Sequence, residues 1–228
     1  MRQESVVDLV SQLIEPVTTL IAAFAGAWFA FRFERKHKEA EEVRRRVGAT
    51  NRALYTLYNL WNAMVQIRQE VINPYRGRID AWLNLAATVP GRYERISFEA
   101  GELSFLLGIN SPLYADLLLE EQRFNSAIQL LDVRTNIVLN EAWPRLARAG
   151  IGIGEQRDAN EIERILGMDV TRKLKVMSDG LVKNVDENVK TITSVFGRLR
   201  EAMKAAYPKE RFLAVEFVES RPADRAAA

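Results

Sequence analysis

The chain contains no cysteine and one histidine, His37. Without cysteine there are no disulfides, no thiolate metal ligands and no thiol nucleophile. A single histidine cannot build a histidine-based metal cluster, and it leaves a Ser-His-Asp triad almost no material. The Glu-x-x-His pairs that hold metals inside helical bundles are absent for the same reason. Seven prolines and twelve glycines in 228 residues are few for a sheet-rich protein. The net charge of +2 is too small to mark a nucleic-acid binder. No Walker A lysine motif is present. The GIGIGE run from Gly150 to Glu155 spaces its glycines by two, follows no strand, and therefore reads as a flexible connection and not a dinucleotide fingerprint. No cofactor is expected.

Long uncharged runs are scarce too, with one exception. Val17 to Phe31 reads VTTLIAAFAGAWFAF without a charge. Leu13, Ile14 and Phe33 extend it to about 20 residues, the length that crosses a hydrocarbon core of roughly 30 Å. The expectation is a single transmembrane helix over 13–33, preceded by a short extracytoplasmic segment, 1–12. Glu15 then lies at the outer interface. Pro16 is tolerated in a first helical turn. Trp28 and Phe31 lie at the inner interface, where aromatic rings are favoured, and Arg32 can snorkel to the headgroups.

Three other readings are weaker. A cleavable signal carries its basic residues before the apolar run, whereas here they follow it. A buried core helix is also apolar all round, and the 15-residue run is borderline in length. An interfacial helix needs a polar face, which 17–31 lacks.

Only Arg2 precedes the run, whereas Arg32, Arg35, Lys36, Lys38, Arg44, Arg45 and Arg46 follow it. The positive-inside rule therefore places the N-terminus outside and the C-terminal bulk in the cytoplasm, at the cell membrane. Trp28, Arg32, Arg35, Lys36 and Lys38 are the candidate membrane-interface residues. Glu34, Glu39, Glu41 and Glu42 dilute the basic cluster. Their spacing predicts ion pairs such as Glu41 with Arg45 and Glu42 with Arg46 more than a polybasic lipid switch. His37, between two lysines, reads as an exposed side chain. Ala22, Gly26 and Ala30 recur every fourth residue, a small-residue face through which two membrane helices could approach closely.

The remainder reads as helix. Apolar stripes run through Val47, Leu54, Leu57, Trp61, Met64 and Val71, then Leu117, Phe124, Ile128, Leu131, Thr135, Val138 and Ala142. A third runs through Leu174, Met177, Leu181, Val185, Ile192, Val195, Leu199 and Met203. Asn73-Pro74 ends the first. A short helix is expected within 78–87. Ser111-Pro112 reads as a cap and first turn, Asn160 to Leu166 as a short helix, and Asp169 as the cap of the last long one. Residues 92–110 are the least regular, with a short strand possible at 96–98.

The fold class expected is all-α: the single transmembrane helix continues into an elongated antiparallel bundle of three long helices plus short ones. The bundle covers 34–207. A tail, 208–228, has an apolar run at 212–218 that could dock and a disordered end. Glu120-Glu121, Glu161, Glu163 and Asp186-Glu187 read as solvated helix faces. Tyr55, Tyr58, Trp61 and Trp82 near Arg52 and Arg68 read as packing residues, not a stacking platform for nucleic acid.

These features point to a membrane-anchored, non-enzymatic interaction or scaffold module. Its partners would be the lipid bilayer, a second copy of the chain and an unidentified protein. The alternative is a membrane-acting effector, of toxin or defence type, that oligomerises and permeabilises the bilayer.

Overall fold

Good helix formers and 3.6-residue apolar spacing make three long stretches of the chain helical. The computed structural model describes residues 4–89, 91–152, 155 and 157–219, with side chains from Phe24 onward. Among the described residues all regular structure is helical. The helices are α1 (Glu4–Ile67), α2 (Ala81–Asn84), α3 (Leu106–Ile137), α4 (Trp143–Arg148) and α5 (Ala159–Ala206). The chain divides into two compact units, 1–46 and 47–228.

In the first unit α1 passes through Pro16, so the proline lies inside the helix and not in its first turn. Among the described residues no helix is long and apolar enough to cross a membrane. Much of the expected span, 13–23, lies outside the residues whose side chains are described, and so does Ala22. Over 24–33 every side chain is exposed.

In the second unit the stripes become the core. Leu54, Leu57, Met64, Leu117, Phe124, Leu181, Ile192 and Leu199 are buried together. Long-range pairs give the helix directions. Asp116 meets Arg198, Glu120 meets Thr191, Arg134 meets Ser178 and Glu141 meets Lys173, so α3 and α5 are antiparallel. Asn51 bonds the backbone at 211 and 213, while Arg76 bonds Asp186, so 47–76 also runs against α5. It follows that the first two long helices, α1 and α3, are parallel, where simple up-and-down alternation of the three long helices would make them antiparallel.

The connection at 76–105 makes that possible by returning along α3. Thr88 bonds Thr135, Ile96 bonds Asn125, Phe98 bonds Glu121 and Ala100 bonds Tyr114. Asn125 both accepts from the Ile96 N–H and donates to its carbonyl. Side chains of α3 thus satisfy this backbone, as a neighbouring strand would, and 96–98 forms no strand.

The helix ends are more particular than their sequence signals. α1 loosens into a π-helical turn, Arg68–Ile72, and a 3-10 turn, Asn73–Tyr75, before the chain turns away. Asn110, not Ser111, caps the main part of α3: its side-chain oxygen accepts from the Leu113 N–H at 3.1 Å. Only four residues of 78–87 form a helix. α5 is broken at Gly167, whose φ of 78° and ψ of 161° suit glycine alone. The expected short helix and the expected start at Asp169 lie on either side of that break.

After α5 the chain turns back along α1. Phe212 is buried, and the Phe217 ring packs edge-on against Tyr58, Trp61 and Phe196 with centroids 6.1, 5.1 and 5.0 Å away. Arg68 pairs with Glu219. The segment after Pro222 lies outside the described residues. Beyond the reach of α1, a second core forms from Trp82, Ile137, Val138, Ile162, Leu166 and Leu174, with α2 and α4 as its cover.

Candidate functional site

Three places depart from what a helical bundle needs merely to fold. The first is 24–38. Phe24, Trp28, Phe29, Phe31 and Phe33 are each more than half exposed. The Arg32 guanidinium lies 5.1 Å from the Trp28 ring centroid, a cation–π arrangement. Arg35 pairs with Glu39 at 2.9 Å and Lys38 with Glu34 at 2.7 Å. Lys36 and His37 are exposed. Further along, Arg46 bonds Glu42 as its spacing predicts, and Arg45 bonds the same carboxylate three residues away. Arg45 and then Arg46 hold the Glu42 carboxyl down to about 2. Ala30 is exposed, and a Cβ on Gly26 would meet nothing within 4 Å.

The second is a pair of buried charges on α3. Glu120 is 2% exposed, which corrects its reading as part of a solvated face. It accepts from Thr191 at 2.9 Å and from Arg123 at 3.1 Å. With the Asn188 amide turned to suit its neighbours, its nitrogen donates to Glu120 and its oxygen accepts from the Phe124 N–H, both at 3.0 Å. Burial pushes the Glu120 carboxyl above its ordinary value, and the bonds from Thr191 and Arg123 oppose that shift.

Arg134 is fully buried. Its Nε donates to Ser178 Oγ at 3.0 Å, and its Nη2 donates to the Trp82 and Leu83 carbonyls at 3.1 and 3.5 Å. Nη1 has no partner. Desolvation lowers the guanidinium to about 10. Arg134 thereby fastens α2 onto the bundle by its backbone.

The periodicity did carry a signal for both charges. Glu120 follows Leu117 by three and precedes Phe124 by four; Arg134 stands in the same relation to Leu131 and Val138. A charge in the middle of an apolar stripe is either misplaced or buried with partners.

Glu120 gives a pH test. Its raised folded value means the folded state binds the proton more tightly than the unfolded state. That contribution is complete below the unfolded value near 4.5 and is lost as the pH rises through the folded one. Glu120→Gln cannot ionise there. Its urea midpoint should therefore improve relative to the parent as the pH rises from below 4.5 through the raised folded value. A gap that stays constant or widens against the variant would contradict this account.

The third place is a cleft of about 700 Å³ where α2, α4 and the start of α5 meet. Leu83, Leu139, Trp143, Leu146, Ile151 and Ile162 give it apolar walls. Arg78 with Asp80 and Arg157 with Glu155 form ion pairs at its edge. Leu139 lies in a π-helical turn, Val138–Ala142, that widens the helix next to Trp143. Such turns are frequent at functional sites. Nothing in the composition of these four chain segments signals that they converge.

The chain matches no family model, no curated protein and no solved structure. Among the described residues no group of three or more acidic or histidine side chains could hold a metal ion. Tyr58, Trp61 and Trp82 are at least partly covered within the bundle, while Tyr55 is exposed. Arg52 pairs with Glu102 and Arg68 with Glu219.

Proposed function

We propose that the protein is a membrane-attached, non-enzymatic interaction module, with residues 13–33 entering the bilayer and the bundle working at its cytoplasmic face. The observation that carries this reading is the uncovered aromatic segment at 24–33. At 100° per residue Phe24, Trp28 and Phe31 share one face of α1, and Phe29 and Phe33 point away from it. A helix apolar on opposite faces needs an apolar surrounding, which its own unit does not supply. The basic residues that follow suit the phosphate side of a cytoplasmic leaflet. The open face around Gly26 supports self-association of a second copy there. The ion-paired rim of the cleft suits binding better than nucleophilic chemistry.

Membranes from expressing cells, washed in alkaline carbonate, should retain the full chain in the pellet. Replacing Phe24, Trp28 and Phe31 together with glutamine should move most of it to the supernatant. Release of the parent by carbonate would sink the attachment. Depolarisation of cells on induction, abolished by Gly26→Leu, would favour the membrane-acting effector over the scaffold.

A further inference from the structure

We infer that the cleft between α2, α4 and α5 binds a single-chain amphiphile with an anionic head, the chemical class of a free fatty acid. Its volume, about 700 Å³, falls in the range of small-molecule sites, roughly 300–1,000 Å³. The apolar part of the lining is aliphatic apart from one large ring, Trp143, still 40% exposed, and the rest of the lining is polar, from Arg78, Asp80, Asn84, Glu155 and Arg157. An alkyl chain is the occupant that uses such walls without needing hydrogen bonds from them.

The head group follows from counting donors and acceptors at the edge. A guanidinium carries five N–H donors. Arg78 spends Nε and Nη2 on Asp80, and Arg157 spends Nη2 on Glu155. The two carboxylates are more fully engaged. Glu155 also accepts from the Gly152 N–H at 3.0 Å, and both carboxylate oxygens of Asp80 accept from Arg78. The edge therefore has donors to spare. Both pairs are exposed and join residues two apart, so an incoming carboxylate can share or replace a partner at little cost. A cationic head would instead have to compete with the arginines for carboxylates already in use.

The probe is a long-chain fatty acid carrying a photoreactive diazirine, presented to the full-length protein in cell membranes, with labelled peptides mapped by mass spectrometry. Label is expected on the segments 139–151 and 159–162. Ala147→Trp, which adds bulk to the lining, should lower that label about tenfold, equivalent to about 1.4 kcal/mol. Arg78→Gln with Arg157→Gln should lower it comparably, whereas the photoreactive alcohol of the same chain length should label the parent weakly and be indifferent to the arginines. Thermal melts keep unfolding apart from loss of the site, and Leu139→Gln serves if Ala147→Trp does not fold. The inference is overturned if the cleft takes no label, if its label survives every one of these substitutions, or if acid and alcohol label it equally. Label on 13–33 reports bilayer contact and is scored apart. A chain released by carbonate but still labelled in the cleft would refute the membrane reading and leave this one standing.

Discussion

Arg134→Ala should destabilise the bundle by about 3–5 kcal/mol, the upper range for a single substitution, because it combines a core cavity with broken buried hydrogen bonds. Ser178 Oγ and the Leu83 carbonyl lose the Arg134 donor, while the Trp82 carbonyl keeps only the Ser178 hydroxyl, at 3.3 Å. Each buried acceptor left unsatisfied costs about 1–3 kcal/mol, and the vacated volume adds a cavity cost. Against this stands relief of the buried cation. Its fall to about 10 corresponds to roughly 3 kcal/mol of desolvation.

Arg134→Met separates the cavity cost from the other effects, since both variants lose the charge and its hydrogen bonds. Methionine keeps much of the volume and removes the charge, so its loss should be within about 1–2 kcal/mol of the parent. Urea denaturation measures both variants. Equal losses for alanine and methionine would show that the cavity contributes little. Hydrogen exchange should locate the alanine effect at 81–89, where Arg134 and Thr135 hold the backbone. Uniform acceleration across all helices would contradict a local pinning role.

Gly167→Ala should cost about 2–3 kcal/mol. Its backbone angles belong to a region nearly closed to other residues, worth about 1–3 kcal/mol of strain. An added Cβ would also lie 2.9 Å from Asp169 Oδ1 and 3.3 Å from Arg145 Nη1. These are partners of one another at 2.9 Å, and Arg145 also bonds the Leu166 carbonyl at the break. Arg145, helped by the Val170 N–H, holds the Asp169 carboxyl down to about 2. Displacing the pair should move that titration back toward the ordinary carboxylate range, which NMR can follow at Asp169 itself. A variant as stable as the parent, with Asp169 unmoved, would show that the break tolerates a side chain.

The sequence made the helices and their buried faces legible wherever the period was long. Leu54, Leu57, Phe124, Ile128, Leu181 and Leu199 are buried where their spacing puts them. Met177, by contrast, is only partly covered. The path of the chain between helices was not legible. Residues 76–105 have no period, and their backbone is satisfied by Asn125 and Glu121, which lie 20 or more residues further on. The parallel placement of α1 and α3 depends on that return path. The candidate sites divide in the same way. The aromatic and basic segment is contiguous and could be read directly. The cleft is assembled from four short segments of ordinary composition, and α2, one of its walls, is held by an arginine some fifty residues away.

The return of 207–219 along α1 also sets a timetable for synthesis. Asn51 is paired to a backbone 162 residues later, and Tyr58 and Trp61 wait for Phe217. A ribosome that has made all of α1, α3 and α5 has still not delivered the side chain that closes the seam between the first helix and the last. The N-terminal aromatic segment emerges long before that, so whatever covers it has access to it before the bundle is complete.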